Sequence, residues 1–124
     1  PPSPTMTSVL SKIFLLSFLL ICLVLLPPQT TAVITCDTVF NDLKPCLSYV
    51  LVGGNVPTEC CNGLKSLITN AITTEDRQMA CSCVKNLATA ATDEQVDRAA
   101  SLPGKCGVKV PFKISRDVDC TKVK

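Results

Sequence analysis

The chain has 124 residues, enough for one domain and too few for two ordinary ones. Twelve Lys and Arg stand against ten Asp and Glu, so no strong field exists to recruit nucleic acid or an anionic membrane by charge. There is no His and no Trp, and with no nucleophile-elbow pattern either, an enzyme is the least supported class.

Residues 13–26 read IFLLSFLLICLVLL, apolar apart from one Ser. Lys12 precedes this run, and Pro27-Pro28-Gln29-Thr30-Thr31-Ala32 follows it. A positive start, an apolar middle and a small-residue exit compose a secretory signal peptide. A membrane anchor is the rival reading, but a span needs roughly 20 apolar residues and the run is shorter. Cleavage is expected after Ala32, with Thr30 at the −3 position, so the mature domain is residues 33–124, beginning at Val33. Met6 reads as the initiator, with Pro1 to Thr5 upstream of it. Cys22 leaves with the leader, which turns nine cysteines into an even eight. That density exceeds the ~8% that marks a disulfide scaffold in a short secreted chain. The remaining net charge is +1. No second apolar stretch suggests a lipid anchor, and no Asn-x-Ser/Thr sequon is present.

Four helices are predicted in the mature domain. The first carries Val39, Leu43, Leu47 and Val50 at helical spacing, with Thr35 as its cap, and ends near Val52 before Gly53-Gly54-Asn55 and Pro57. The second runs from about Thr58 to near Asn70, with Cys61, Leu64, Leu67, Ile68 and Ala71 on one face. The third opens on the capping-box pattern Thr73-x-x-Asp76 and carries Ala80, Cys83, Val84, Leu87, Ala88 and Ala91. A second capping box, Thr92-x-x-Gln95, starts a short fourth helix with Val96, Ala99 and Ala100 that stops before Pro103-Gly104. From there to Lys124 no helical period is visible, yet Val108, Val110, Phe112, Ile114 and Val118 need something to cover. The helix faces lean on Ala, which fills little volume, and the only mature aromatics are Phe40, Tyr49 and Phe112. Native packing density then demands one of two arrangements: very close helix approach, or internal space. Composition alone leaves both open.

The mature cysteines, Cys36, Cys46, Cys60, Cys61, Cys81, Cys83, Cys106 and Cys120, are spaced C-x9-C-x13-CC-x19-C-x-C-x22-C-x13-C. Helical neighbours point about 100° apart and i,i+2 residues about 200° apart. The CC and C-x-C pairs therefore do not readily bond internally and tie their helices to several partners. Zinc sites gather C-x₂₋₄-C pairs, and none occurs, so disulfides are expected and no metal or cofactor.

This pattern resembles the eight-cysteine framework of plant non-specific lipid transfer proteins, type 1 branch. Thr73-Thr74-Glu75-Asp76-Arg77-Gln78 followed by Cys81-Ser82-Cys83 is similar to that family's TTxDRQ-x-x-CxC stretch. Leu102-Pro103-Gly104-Lys105-Cys106-Gly107-Val108 matches its LPGKCGV segment, and Pro111-Phe112-Lys113-Ile114-Ser115 its PYxIS pentapeptide. The polar Ser82 inside C-x-C fits type 1. The resemblance implies an all-α fold: a four-helix right-handed superhelix with a long irregular C-terminal tail around an internal hydrophobic tunnel. It also implies the pairing Cys36–Cys83, Cys46–Cys60, Cys61–Cys106 and Cys81–Cys120. Such bridges contribute about 3–4 kcal/mol each in the chain-entropy model, not additively.

The implied function is to bind lipids (fatty acids, acyl lipids, phospholipids) in that tunnel and transfer them between membranes or to the extracellular matrix, with a plant defence role in view. The implied setting is secreted and extracellular, in the cell wall or apoplast, as a monomer with transient membrane contact. The expected tunnel lining is Leu43, Val50, Leu64, Leu67, Ile68, Ala80, Val84, Leu87, Val110 and Ile114, each of which ordinary helix packing would also explain. By resemblance Arg77 meets lipid head groups at the tunnel mouth; the bland alternative is a surface Arg paired with Asp76 or Glu75. Asp76 itself reads as a cap. Tyr49 either borders the cavity or packs. Phe112 replaces the usual tyrosine of the pentapeptide, keeping an aromatic wall and losing a hydroxyl. Two other classes remain beside this one. An α-amylase or protease inhibitor of the same superfamily would diverge in the CC-to-C-x-C spacing and lack both matching segments. A membrane-active defence peptide would want more positive charge, since attraction to anionic lipid is worth about 1 kcal/mol per basic residue.

Overall fold

A computed structural model describes residues 4–25 and 34–124. The chain divides into two units, Pro1–Ala32 and Val33–Lys124. In the first, the apolar run forms helix α1, Pro4–Leu25. Its large side chains from Val9 to Val24 are exposed. Among the described residues no helix is long and apolar enough to cross a membrane. The expected cleavage segment, Pro27 to Val33, lies outside the described residues.

The second unit begins with α2, Cys36–Leu43, capped by Thr35, whose Oγ1 accepts from the Thr38 N–H at 3.4 Å. Asp37 in the first turn suits the positive helix end. The single helix expected as far as Val52 is instead three pieces: α2, a 3₁₀ turn at Lys44–Cys46, and α3 at Leu47–Val52. Pro45 is the cause. It has no N–H for the carbonyl of Asn41, and its ring crowds that carbonyl, so the ladder breaks and tightens there. Gly53, at φ +80°, ends α3, its N–H returning to Tyr49 O at 2.8 Å. Helix α4, Thr58–Asn70, follows Pro57.

Helix α5, Thr74–Ala90, starts with half of the expected capping box. Thr73 Oγ1 accepts from Asp76 N–H at 3.0 Å, but the Asp76 carboxylate accepts instead from Ile34 N–H at 3.4 Å. Ile34 is 2% exposed, and its amide needs a partner more than that of an exposed cap. Helix α6, Asp93–Cys106, has the complete box: Gln95 N–H to Thr92 Oγ1 at 3.2 Å and Thr92 N–H to Gln95 Oε1 at 3.0 Å. It does not stop before Pro103 but carries it in the last turn, where one backbone bond is lost and the chain continues to Cys106. Gly107, at φ +64°, then closes the helix, with Val108 N–H reaching Pro103 O at 2.9 Å. The tail is irregular apart from a 3₁₀ turn at Cys120–Lys122, capped by Asp119.

The fold is all-α, with no strand among the described residues. Helix α4 packs closely on α2: a Cβ at Gly63 would overlap the carbonyl oxygen of Asp42, so only glycine fits. Disulfides join Cys36–Cys83, Cys46–Cys60, Cys61–Cys106 and Cys81–Cys120, the pairing the resemblance implied. Cys22 in α1 is the remaining thiol. Buried apolar residues form two separate clusters rather than one core. Ile34, Val39, Leu67, Ala71, Ala80 and Cys83 make the first. Cys46, Tyr49, Cys60, Leu64 and Leu102 make the second. The space between and beside them is not filled by protein.

Candidate functional site

That space is a cavity of about 520 Å³, within the roughly 300–1,000 Å³ typical of small-molecule sites. Each element contributes a stripe to its wall. Leu43 comes from the end of α2 and Leu47, Val50 and Leu51 from α3. Helix α4 supplies Leu64, Leu67 and Ile68, at the 3- and 4-residue spacing that puts them on one face, with Ala71 just beyond. Helix α5 supplies Arg77, Ala80, Val84, Leu87, Ala88 and Ala90, and α6 supplies Gln95, Val96, Ala99 and Leu102. The tail closes the remaining side with Lys109, Val110, Pro111, Phe112 and Ile114. The alanines explain the hollow. A methyl at positions 80, 88, 91 and 99 leaves facing helices nothing to interdigitate with, and the four bridges hold the walls apart without a packed interior.

Of the residues singled out from the sequence, Leu43, Val50, Leu64, Leu67, Ile68, Ala80, Val84, Leu87, Val110, Ile114, Arg77 and Phe112 all face this cavity. Tyr49 does not. It is 5% exposed in the second cluster, its hydroxyl 2.7 Å from Ser101 Oγ and its ring 4.9 Å from Lys105 Nζ. The Ser101 hydrogen bond, then the Lys105 ammonium, hold its phenol below the usual pKa. Leu47 and Val50 of the same short helix line the cavity, while Tyr49 packs in the second cluster. The expected lining left out Cys46, Leu47, Leu51, Ala71, Ala88, Ala90, Ala91, Gln95, Val96, Ala99, Leu102, Lys109 and Pro111. Leu47, Val96 and Ala99 lay on recognised apolar stripes, while the exposed Lys109 carried no pattern.

Arg77 takes neither partner proposed for a surface arginine. Its Nε donates to Ala71 O at 3.0 Å and its Nη1 to Lys124 O at 3.1 Å, which ties the chain end to the start of α5. The ion pairs among the described residues are Arg98–Glu94, at 2.6 Å, and Arg116–Asp93. Gln78 reinforces the same clasp, its Nε2 donating to Thr121 O at 3.2 Å and Val123 O at 3.0 Å. Lys85 Nζ holds Val118 O at 2.7 Å, and Arg116 Nε holds Ala88 O at 3.0 Å. The irregular tail is thus fixed by side chains donating to, or rising from, its backbone, and by Cys81–Cys120. Phe112 packs against the first cluster as an aromatic wall.

The wall is apolar over nearly its whole extent, with Arg77, Gln95 and Lys109 the polar side chains on it. Such a surface gains by removing hydrocarbon from water and has little directional demand. Among the described residues no cluster of His, Cys, Asp or Glu is placed to hold a metal ion.

Comparison with known proteins agrees with this geometry. Residues 36–120 match the Protease inhibitor/seed storage/LTP family. Non-specific lipid-transfer protein 2 of Lens culinaris is 45% identical over 106 residues, covering 86% of this chain and 90% of that protein. Non-specific lipid transfer protein 1 from barley, solved in complex with lysophosphatidylcholine, superposes with a TM-score of 0.68 at 41% identity, covering 73% of this chain and all of that one. Wheat non-specific transfer protein, complexed with two molecules of phospholipid, gives a TM-score of 0.65 at 42% identity over the same shares. With its matching cysteine framework, hollow interior and relatives at this identity, the chain belongs to the non-specific lipid-transfer proteins of the Protease inhibitor/seed storage/LTP family.

Proposed function

We propose that this chain binds acyl lipids in its internal cavity and carries them outside the cell, exchanging them during transient contact with membranes. The observation that carries the reading is the cavity itself: about 520 Å³ bounded by an almost wholly apolar wall inside a disulfide frame. The lysophosphatidylcholine and phospholipid complexes of the barley and wheat relatives support it. Burial supplies ~0.8 kcal/mol per methylene, so a chain of about sixteen carbons offers on the order of 12 kcal/mol gross. Micromolar affinity requires about 8 kcal/mol, which leaves several for ordering and immobilisation. Since burial has no direction, one cavity accepts many acyl lipids. The lipid contacts proposed are the wall residues of α2 to α6 and the tail, with Arg77 and Phe112 at one end and Tyr49 omitted.

The protein acts as a monomer, by binding and release, with no covalent step. The apolar α1 segment serves as a secretory leader removed at Ala32, so the working protein is residues 33–124. The test is transfer of a fluorescent phospholipid from donor to acceptor vesicles. The rate should rise in proportion to added protein and vanish after the four bridges are reduced. Transfer no faster than the spontaneous rate would refute the carrier role.

A further inference from the structure

Three polar side chains stand on the cavity wall, and two of them are engaged. Arg77 has its Nε on Ala71 O and its Nη1 on Lys124 O. Gln95 carries no charge, and its Oε1 accepts from Thr92 N–H as part of the α6 cap. Lys109 makes no hydrogen bond or ion pair with any described residue. It is an exposed, uncommitted lysine among the residues that line an apolar cavity.

Its place in the tail gives that charge a direction. Val108 and Val110, on either side of it, pack on the second cluster with Tyr49, Leu64 and Leu102. Two residues beyond Val110, Phe112 packs on the first cluster with Leu67, Ala71 and Ala80. Arg77 is fastened to Ala71 of that same first cluster. Lys109 is therefore flanked by residues packed on the second cluster, while Arg77 is tied to the first, beside which Phe112 offers no hydroxyl. The lysine stem can lie along the apolar wall while its head stays in water.

We propose that Lys109 is the anchor for the anionic head of a bound acyl lipid, a carboxylate or a phosphate, with the hydrocarbon running from it into the cavity. The inference rests on the lipid-binding reading above and names the ligand class that reading favours: acyl lipids with an anionic oxygen head over uncharged ones. An exposed ion pair supports only a few-fold change in affinity, and a charge-assisted hydrogen bond at a partly dry site raises it to about three- to ten-fold.

The test measures dissociation constants for palmitic acid, the lysophosphatidic acid of the same chain length, and hexadecanol, with wild type, Lys109→Met, Lys109→Arg and Arg77→Lys. Methionine keeps an unbranched apolar stem and removes the charge. Lys109→Met should weaken the two acids about three- to ten-fold and leave hexadecanol unchanged; Lys109→Arg should restore both acids. The loss should shrink as salt rises. Comparing the two acids shows whether carboxylate or phosphate is the better partner. An equal loss for hexadecanol would mean that the residue acts through packing, and acids unaffected by Lys109→Met would remove the anchor. So would an acid-specific loss confined to Arg77→Lys. If wild type binds none of the three ligands, the lipid-binding reading itself fails; binding of all three without dependence on position 109 sinks the anchor alone.

Discussion

Val84→Phe distinguishes a hollow protein from a tightly packed one, because the two respond with opposite signs. Val84 lies on α5, half-buried against the first cluster and facing the cavity. Phe and Val have similar helix propensity, so the backbone should be indifferent. The ring adds four carbons to the side chain and displaces about four methylenes of any ligand that fills the cavity, a loss of ~3 kcal/mol at ~0.8 kcal/mol each. That is roughly a hundredfold in affinity for long chains, and close to nothing for chains too short to reach α5. Unliganded protein should melt higher, since the ring covers apolar wall otherwise bare; in a packed core the same change would cost about 1–3 kcal/mol through overpacking. Calorimetric melting of lipid-free protein, with titration of long- and short-chain fatty acids, reads both effects. A lower melting temperature with unchanged long-chain affinity would refute the claim that this space is empty and ligand-accessible.

Other consequences follow from the same structure. Arg77→Ala should cost about 1–3 kcal/mol, discounted for partial exposure, because it releases the Ala71 and Lys124 carbonyls; hydrogen exchange at Val123 and Lys124 should quicken. Serine replacement of Cys46 and Cys60, 14 residues apart, should lower stability by about 3 kcal/mol, against about 4 for Cys36 and Cys83, 47 apart, by denaturant unfolding. Asp119 is held below the usual carboxylate pKa by its bonds from Thr121. Its contribution is therefore complete above the unfolded pKa and lost as pH falls through the lower folded one. Below about pH 4 the Thr121 amide should lose protection in NMR, and Asp119→Asn should flatten that response. Protein recovered from the culture medium of a plant secretion host should begin at Val33 and take up no alkylating label without reduction.

Much of this architecture was readable from residue order. The cysteine register fixed the pairing through its resemblance, and the stripes on α4 and α5 placed most of the cavity wall, because helical period and burial are local signals. What escaped depended on contacts between distant residues. Asp76 looks like a complete capping partner until Ile34 N–H, 42 positions earlier, is seen competing for its carboxylate. Arg77 offers no sequence hint that its partners are the carbonyls of Ala71 and Lys124, since any backbone oxygen can accept. Pro45 and Pro103 show why a single residue is a weak guide: one breaks a helix in its middle, the other sits in a last turn that Gly107 and Cys61–Cys106 complete. Tyr49 was open to either role from the sequence, and what decides for packing is Ser101, 52 positions away, whose Oγ meets its hydroxyl in the second cluster. Lys109 belonged to no pattern, and only the fold of the tail reveals it on the wall.

The central claim is that hydrocarbon burial in this cavity drives binding, and calorimetric titration of saturated fatty acids of increasing length tests it most directly. Affinity should strengthen by up to ~0.8 kcal/mol for each added methylene and level off once the cavity is full, with a negative heat-capacity change that grows in step. Affinity independent of chain length, or absent at every length, would contradict the account.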